Sequence, residues 1–301
     1  MQVSSALYPF AEHWLELDAP RSPGQRIRMH YVDEGPRDAP VVLMLHGNPT
    51  WSFYWRRLIK ALAPTHRVIA PDHIGCGKSD KPDDALYPYE LAQRIADIQT
   101  LVESLELRDL TLMVHDWGGM IGMGWAHRQP ERVTKLVLLN TAAFGLPASK
   151  RLPASLWLAR NTAIGSVLVR GFNAFARGAT RMAVTRRPLS REVREGLCAP
   201  YDSWSNRRAV LRFVQDIPLQ PGDPGFEIIQ EVGDAVGQFD DRPVLICWGD
   251  RDFVFDHHFL AVWQQKLPHA KVHRFADCGH YVLEDAGDEI EALVCEFLGV
   301  G

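Results

Sequence analysis

The sequence predicts an α/β fold: a mostly parallel, eight-stranded sheet with helices on both faces and a helical cap inserted after the sixth strand. Three observations predict it. Short, continuous apolar runs alternate with segments of helical spacing, as buried parallel strands and their crossover helices do. The alternation stops near residue 145 and resumes after about residue 235. Successive runs also end in polar, reactive residues, at the strand ends where open α/β sheets bind their ligands. With 301 residues, 46% hydrophobic and 23% charged, the chain suits one α/β core, 1–144 and 236–301, carrying a cap over 145–235.

The elements follow in order. HWLELD (13–18) and IRMHYV (27–32) alternate with period two and read as an antiparallel opening pair. VVLML (41–45) is the first buried run, Trp51 to Leu62 has helical spacing, and Arg67 to Ala70 returns to strand. Tyr89 to Leu105 reads as helix, Leu110 to Val114 as strand, Met120 to Arg128 as helix and Val133 to Leu139 as strand. The next 90 or so residues are helical and Arg-rich, broken by Pro188, Pro200, Pro218, Pro221 and Pro224. Alternation returns with a strand at Val244 to Trp248, a helix near His258 to Leu267, a strand at Lys271 to Phe275 and a closing helix at Asp288 to Leu298.

The net charge of −4 hides an asymmetry: residues 145–215 hold 13 basic and three acidic side chains, so this segment is +10 and the rest of the chain −14. A segregated basic segment marks an anionic partner or membrane surface, or else a solvated face pairing with an acidic body. No nucleic-acid partner is expected. Cys76, Cys198, Cys247, Cys278 and Cys295 are scattered, odd in number and form no C-x-x-C pair, which argues against a disulfide framework. With no secretory leader and no long apolar stretch to read, a reducing cytoplasm is the expected compartment.

The chemistry gathers at four strand ends. Leu110 to Val114 leads into His115-Asp116-Trp117-Gly118-Gly119. A strand, a sharp turn and a helix expose one side chain at the top of a sheet, and its usual occupant is serine. Serine attacking saturated carbon leaves an ether that water does not readily cleave. A carboxylate leaves an ester, whose carbonyl belongs to the enzyme. An aspartate therefore points to carbon–halogen, epoxide or strained-ring substrates. Asp is also a favoured helix N-cap, and the turn alone does not separate the two roles.

After the third strand comes His46-Gly47-Asn48-Pro49, after the seventh Gly249-Asp250-Arg251-Asp252, and after the eighth Cys278-Gly279-His280. The order nucleophile, acid, histidine is that of the α/β-hydrolases. Asp116 reads as nucleophile, His280 as general base and Asp252 as the acid that orients it, with Asp250 the near competitor. The N–H groups of Asn48 and Trp117 are the candidate oxyanion hole, and their side-chain N–H groups could hold a leaving group or substrate oxygen. His115, one position earlier on the strand, is read as pointing to the far side. The run 72–79 lacks the G-x-x-x-x-G-K spacing of a phosphate loop and reads as a turn. His257 and His258 show no metal-site spacing, and no metal is expected.

These motifs resemble the haloalkane dehalogenase family of α/β-hydrolases over essentially the whole chain, through HGNPTWSFYWR (46–56), DHIGCGKSDKP (72–82), VHDWGG (114–119), WGDRD (248–252) and CGHYVLED (278–285). The resemblance implies an Asn48–Trp117 leaving-group pair and no cofactor. Within that superfamily the cap stretches Val193 to Trp204 and Phe213 to Pro218 are similar to the cis-β-lactone decarboxylases of bacterial long-chain olefin biosynthesis. Those enzymes turn a cis-3-alkyl-4-alkyloxetan-2-one into a cis-alkene and carbon dioxide. The resemblance implies a long-chain hydrophobic substrate and a complex with other enzymes of that pathway. The apolar cap run 152–176 suits a tunnel for alkyl chains, or ordinary packing of the cap on the core. Haloalkane dehalogenation is the alternative activity. An epoxide hydrolase, which needs two cap tyrosines where this cap has Tyr201, and a non-catalytic receptor are further alternatives. For a β-lactone two routes stay open: attack of Asp116 on the ring carbon bearing oxygen, or on the carbonyl.

Overall fold

The apolar runs of the sequence form the middle of the sheet, because a strand without polar side chains is stable only when both its faces are covered. The computed structural model describes residues 3–300. Its strands are β1 (His13–Asp18), β2 (Arg26–Glu34), β3 (Val41–Leu45), β4 (Arg67–Pro71), β5 (Leu110–Asp116), β6 (Val133–Thr141), β7 (Val244–Gly249) and β8 (Lys271–Phe275). They lie in the order β1-β2-β4-β3-β5-β6-β7-β8. β1 and β2 are antiparallel to their neighbours, and the other pairings are parallel. β4, β5 and β7 are buried along their whole length, whereas in β1, at one edge, buried or half-buried positions alternate with exposed ones.

The helices are α1 (Arg56–Leu62), α2 (Leu91–Ser104), α3 (Trp117–Arg128), then α4 (Ala154–Asn161), α5 (Ala163–Phe172), α6 (Ala174–Met182), α7 (Arg191–Cys198), α8 (Arg208–Gln215) and α9 (Phe226–Ala235). The chain closes with α10 (His257–Lys266), α11 (Val282–Asp285) and α12 (Gly287–Leu298). Two apolar layers sandwich the sheet. Ile95 and Ile98 of α2, Ile121 and Trp125 of α3, and Trp263 of α10 pack in one, and Leu58 of α1 with Ile290 and Val294 of α12 in the other. Among the described residues no helix is long and apolar enough to cross a membrane.

Several boundaries differ from the sequence expectation: β2, β5 and β6 extend past the expected runs, and α3, expected from Met120, starts at Trp117. The helix expected from Trp51 begins with a 3-10 turn at Ser52–Trp55 before α1. The helix expected from Tyr89 starts at Leu91, because Tyr89 sits at φ 59°, a left-handed conformation that no α-helix contains. Its hydroxyl donates to the Pro82 carbonyl at 2.7 Å, which holds it there.

Helices α4 to α9 run between β6 and β7, and whereas α9 packs on α3, α4 to α8 pack on one another as a cap. Much of its positive charge meets the acidic core. Arg186 reaches Asp277 and Glu289, and Arg208 and Arg212 share Asp84. One tie is buried: Arg94 of α2 lies 2.7 Å from Asp216, just past α8, and its guanidinium stacks 3.8 Å over the Phe213 ring. Removing one partner of a buried ion pair leaves an uncompensated charge, at a cost of about 3–5 kcal/mol. Asp216→Ala is therefore expected to lose about that much stability in denaturant unfolding, whereas Glu195→Ala, at the exposed Arg191 pair, is expected to lose under about 1 kcal/mol.

Candidate active site

The end of β5 is bent into a conformation that few residues accept. Asp116 sits at φ 52°, ψ −127°, and α3 begins at the next residue. Such backbone costs on the order of 1–3 kcal/mol and persists only where its surroundings impose it. Here two glycines let the neighbouring chains close in. A Cβ at Gly118 would overlap the Leu45 carbonyl, and one at Gly47 would overlap the Asp116 carboxylate. The Thr141 hydroxyl donates to the Asp116 carbonyl at 2.5 Å and fixes the turn from β6.

Asp116 stands at the N-cap position of α3, yet its side chain accepts no hydrogen bond from that helix. Its Oδ1 accepts from the Asn48 backbone N–H at 2.6 Å, and its Oδ2 lies 3.5 Å from His280 Nε2. His280 Nδ1 lies 2.7 Å from Asp252 Oδ2. Asp252 is held in turn by the N–H groups of Val254 and Phe255 on Oδ1, at 2.7 and 3.1 Å, and by the Asn140 amide on Oδ2 at 3.0 Å. Asp250 points away and pairs with Arg274 at 3.0 Å. The structure thus brings Asp116, His280, Asp252, Asn48 and Trp117 together and leaves Asp250 out.

Two placements add to the sequence reading. The Asn48 side-chain amide donates to the Val210 carbonyl of α8 at 3.1 Å, so it fastens the cap to the nucleophile loop. His115 does not line the cavity, but it is not remote. The loop carrying His280 folds back over β5, and His115 Nε2–H donates to the His280 carbonyl at 2.9 Å, with the two rings 4.7 Å apart. Burial drives the His115 imidazole down to about 3, so it is neutral. The sequence reading also missed Asn140 and Thr141, at the end of a fifth apolar strand. Two polar residues closing such a run were the available signal.

Asp116 and His280 open onto a cavity of about 300 Å³. Asn48 and Trp117 share its floor, and the walls are apolar, among them Leu156, Val169 and Phe175 of the cap and Phe144 of the core. The first N–H groups of α3, starting at Trp117, have no intrahelical acceptor and are free for an anionic oxygen. Tyr201 is not in this wall; its hydroxyl donates to the Thr50 carbonyl at 3.1 Å. No tyrosine lines the cavity among the described residues, which disfavours epoxide opening.

Burial alone would raise the Asp116 carboxyl, but the hydrogen bond and charge of His280 outweigh it and hold the group below the usual carboxylate range. Burial alone would lower His280, but the charge of Asp252 and the hydrogen bonds to Asp116 and Asp252 outweigh it and raise the imidazole above its ordinary value. His280 thus stands between two carboxylates, and both favour the protonated form of its ring.

Comparison with known proteins places these features in context. A family model described as the alpha/beta hydrolase fold matches residues 40–287. A Shewanella oneidensis protein named cis-3-alkyl-4-alkyloxetan-2-one decarboxylase is 53% identical over 97% of this chain and 89% of its own length. A protein of the same name from Xanthomonas campestris is 46% identical over 90% of this chain and 92% of its own. Among solved structures, a loop variant of the Bradyrhizobium elkanii haloalkane dehalogenase superposes with a TM-score of 0.81 at 25% identity, covering 96% of this chain and 97% of that one.

Replacing either carboxylate removes part of what keeps His280 charged. NMR titration of the imidazole is expected to give a pKa above the ordinary histidine value, and Asp116→Asn is expected to lower it. An unchanged pKa would mean that Asp116 does not interact with His280.

Proposed function

This chain belongs to the alpha/beta hydrolase fold family, and we propose that within it the protein decarboxylates cis-3-alkyl-4-alkyloxetan-2-ones to a cis-alkene and carbon dioxide. The observation that carries this reading is the carboxylate at the turn, set 3.5 Å from the His280 ring in an apolar cavity. The shared name of relatives at 53% and 46% identity supports it. Asp116, His280 and Asp252 are the catalytic residues; the Asn48 N–H holds Asp116 Oδ1, and the N–H groups of Trp117 receive the developing anion.

Asp116 Oδ2 attacks the ring carbon that bears oxygen, with inversion. The ring C–O bond breaks, and its electrons leave as the substrate's own carboxylate. That carboxylate then departs as carbon dioxide. The electrons of its bond to the ring become the double bond, and the C–O bond to Asp116 breaks and restores the nucleophile. Inversion followed by anti elimination keeps the cis geometry. Attack at the carbonyl leads, once water has acted, to a 3-hydroxy acid that keeps its carboxyl carbon, so loss of carbon dioxide selects the first route.

The charge balance suits that sequence. The negative charge passes from Asp116 to the substrate carboxylate and back, so His280 faces an anion throughout and stays protonated. Its part is electrostatic, and Asp252 holds it in place. Haloalkane hydrolysis, the second reading, uses the same attack but carries the charge away as halide. The Asp116 ester would then lower the proton affinity of His280 and free it to activate water. In this reading the chain divides into a core, 1–144 and 236–301, and a cap, 145–235, works in the cytoplasm and takes a long-chain hydrophobic substrate.

Purified protein given a cis-3,4-dialkyl β-lactone and, separately, a set of 1-bromoalkanes is expected to form alkene with little bromide. Asp116→Ala is expected to fold and lose turnover by at least about a thousandfold, as removal of a covalent nucleophile does. Bromide release with intact lactone would establish the second reading instead, and a fully active Asp116→Ala would refute both.

A further inference from the structure

The outer face of the cap carries a surface that the proposed reaction does not use. α5 buries Gly165 and Val169 but turns Ile164, Val167, Leu168 and Phe172 outward on one stripe of helical spacing. Ile164 is 68% exposed and Phe172 65%. On the helices packed against it, Trp157 of α4 and Met182 of α6 are exposed too. Large apolar side chains grouped at a surface mark an interaction site.

Two observations say what covers it. The first is charge. Arg151, Arg177, Arg181 and Arg187 are exposed around these helices. Arg186, Arg208 and Arg212 of the cap pair with core carboxylates, whereas these four make no ion pair among the described residues. The second is continuity with the cavity: Leu168 and Met182 belong both to the exposed face and to the walls that lead to Asp116.

We infer that this face of the cap docks on an anionic lipid bilayer, so that a long-chain apolar substrate passes from the membrane to Asp116 between α5 and α6 without crossing water. The route of the substrate rests on the proposed decarboxylase reading; the docking does not. Cations set among aromatic and aliphatic side chains are the composition of segments that lie in the membrane interface. Each cation near an anionic surface adds about a tenfold or smaller factor to binding. A second copy fits worse, because it would set the exposed, unpaired arginines of one cap against those of another.

Full-length protein is tested by co-sedimentation with vesicles of phosphatidylcholine alone and of phosphatidylcholine with phosphatidylglycerol. Binding is expected on the mixed vesicles, weaker on the neutral ones, and reduced by salt. Arg177→Gln/Arg181→Gln and Ile164→Ser/Phe172→Ser are each expected to lower the partition coefficient by roughly tenfold or more. Neither pair lines the cavity, and both variants are expected to keep wild-type turnover of a water-soluble short-chain β-lactone, which also shows that they fold. Failure to bind mixed vesicles, binding that ignores both variants, or self-association that both variants abolish would overturn the docking. Alkene formation without vesicle binding would overturn the docking and leave the proposed reaction standing. Vesicle binding without alkene would do the reverse.

Discussion

A carboxylate that attacks saturated carbon has to be ionised, sheltered from water and only lightly hydrogen-bonded, and these demands oppose one another. Burying an isolated carboxylate costs several kcal/mol, and each hydrogen bond that offsets the cost blunts the lone pair that must attack. In this protein the conflict is met by a charge. Asp116 accepts one short hydrogen bond, from Asn48 N–H on Oδ1, and His280 Nε2 lies 3.5 Å from its Oδ2, where a proton on that ring favours the ionised carboxylate. Asp252, 2.7 Å from His280 Nδ1, favours the protonated ring, and Asp252 is pinned by Asn140, Val254 and Phe255. The state of one nucleophile on β5 thus depends on groups from the ends of β3, β6, β7 and β8.

The cap belongs to the same chain of dependence. It meets the loop after β3 through three hydrogen bonds: Asn48 amide to Val210, Trp51 indole to Gly196, and Tyr201 hydroxyl to Thr50. The loop that aims the Asn48 N–H at Asp116 is therefore also the seat of the cap. The Arg94–Asp216 pair fastens the cap at a second point, with Arg94 also 5.7 Å from the Trp117 ring. A firmly seated apolar cap keeps the dielectric low, and there the charge on His280 acts strongly on its neighbours. It also withholds water from a reaction that, as proposed, has no use for it.

Most of this was legible in the sequence, for identifiable reasons. Strands buried on both faces are apolar over most of their length, so the runs within β3, β5, β6 and β7 stood out. The site residues sit at strand ends in a fixed order, so Asp116 and His280 could be named. What local pattern could not settle was decided by distant partners. Asp250 and Asp252 are two residues apart on one loop, and the choice between them is made by Asn140, 112 residues earlier. Arg94 and Asp216, 122 residues apart, leave no trace in periodicity. The helix α5 is apolar nearly all round, and a sequence apolar on every side does not say which side meets the core.

The return of Asp116 to its starting state without water is the feature on which the proposed chemistry turns. It is tested by running many turnovers in water enriched in oxygen-18 and weighing the peptide that contains Asp116. An unlabelled Asp116 is expected, because the bond that breaks to release it joins its oxygen to the departing alkene. Oxygen-18 in the Asp116 carboxylate would show that water had attacked an ester there, and the protein would then be working as a hydrolase.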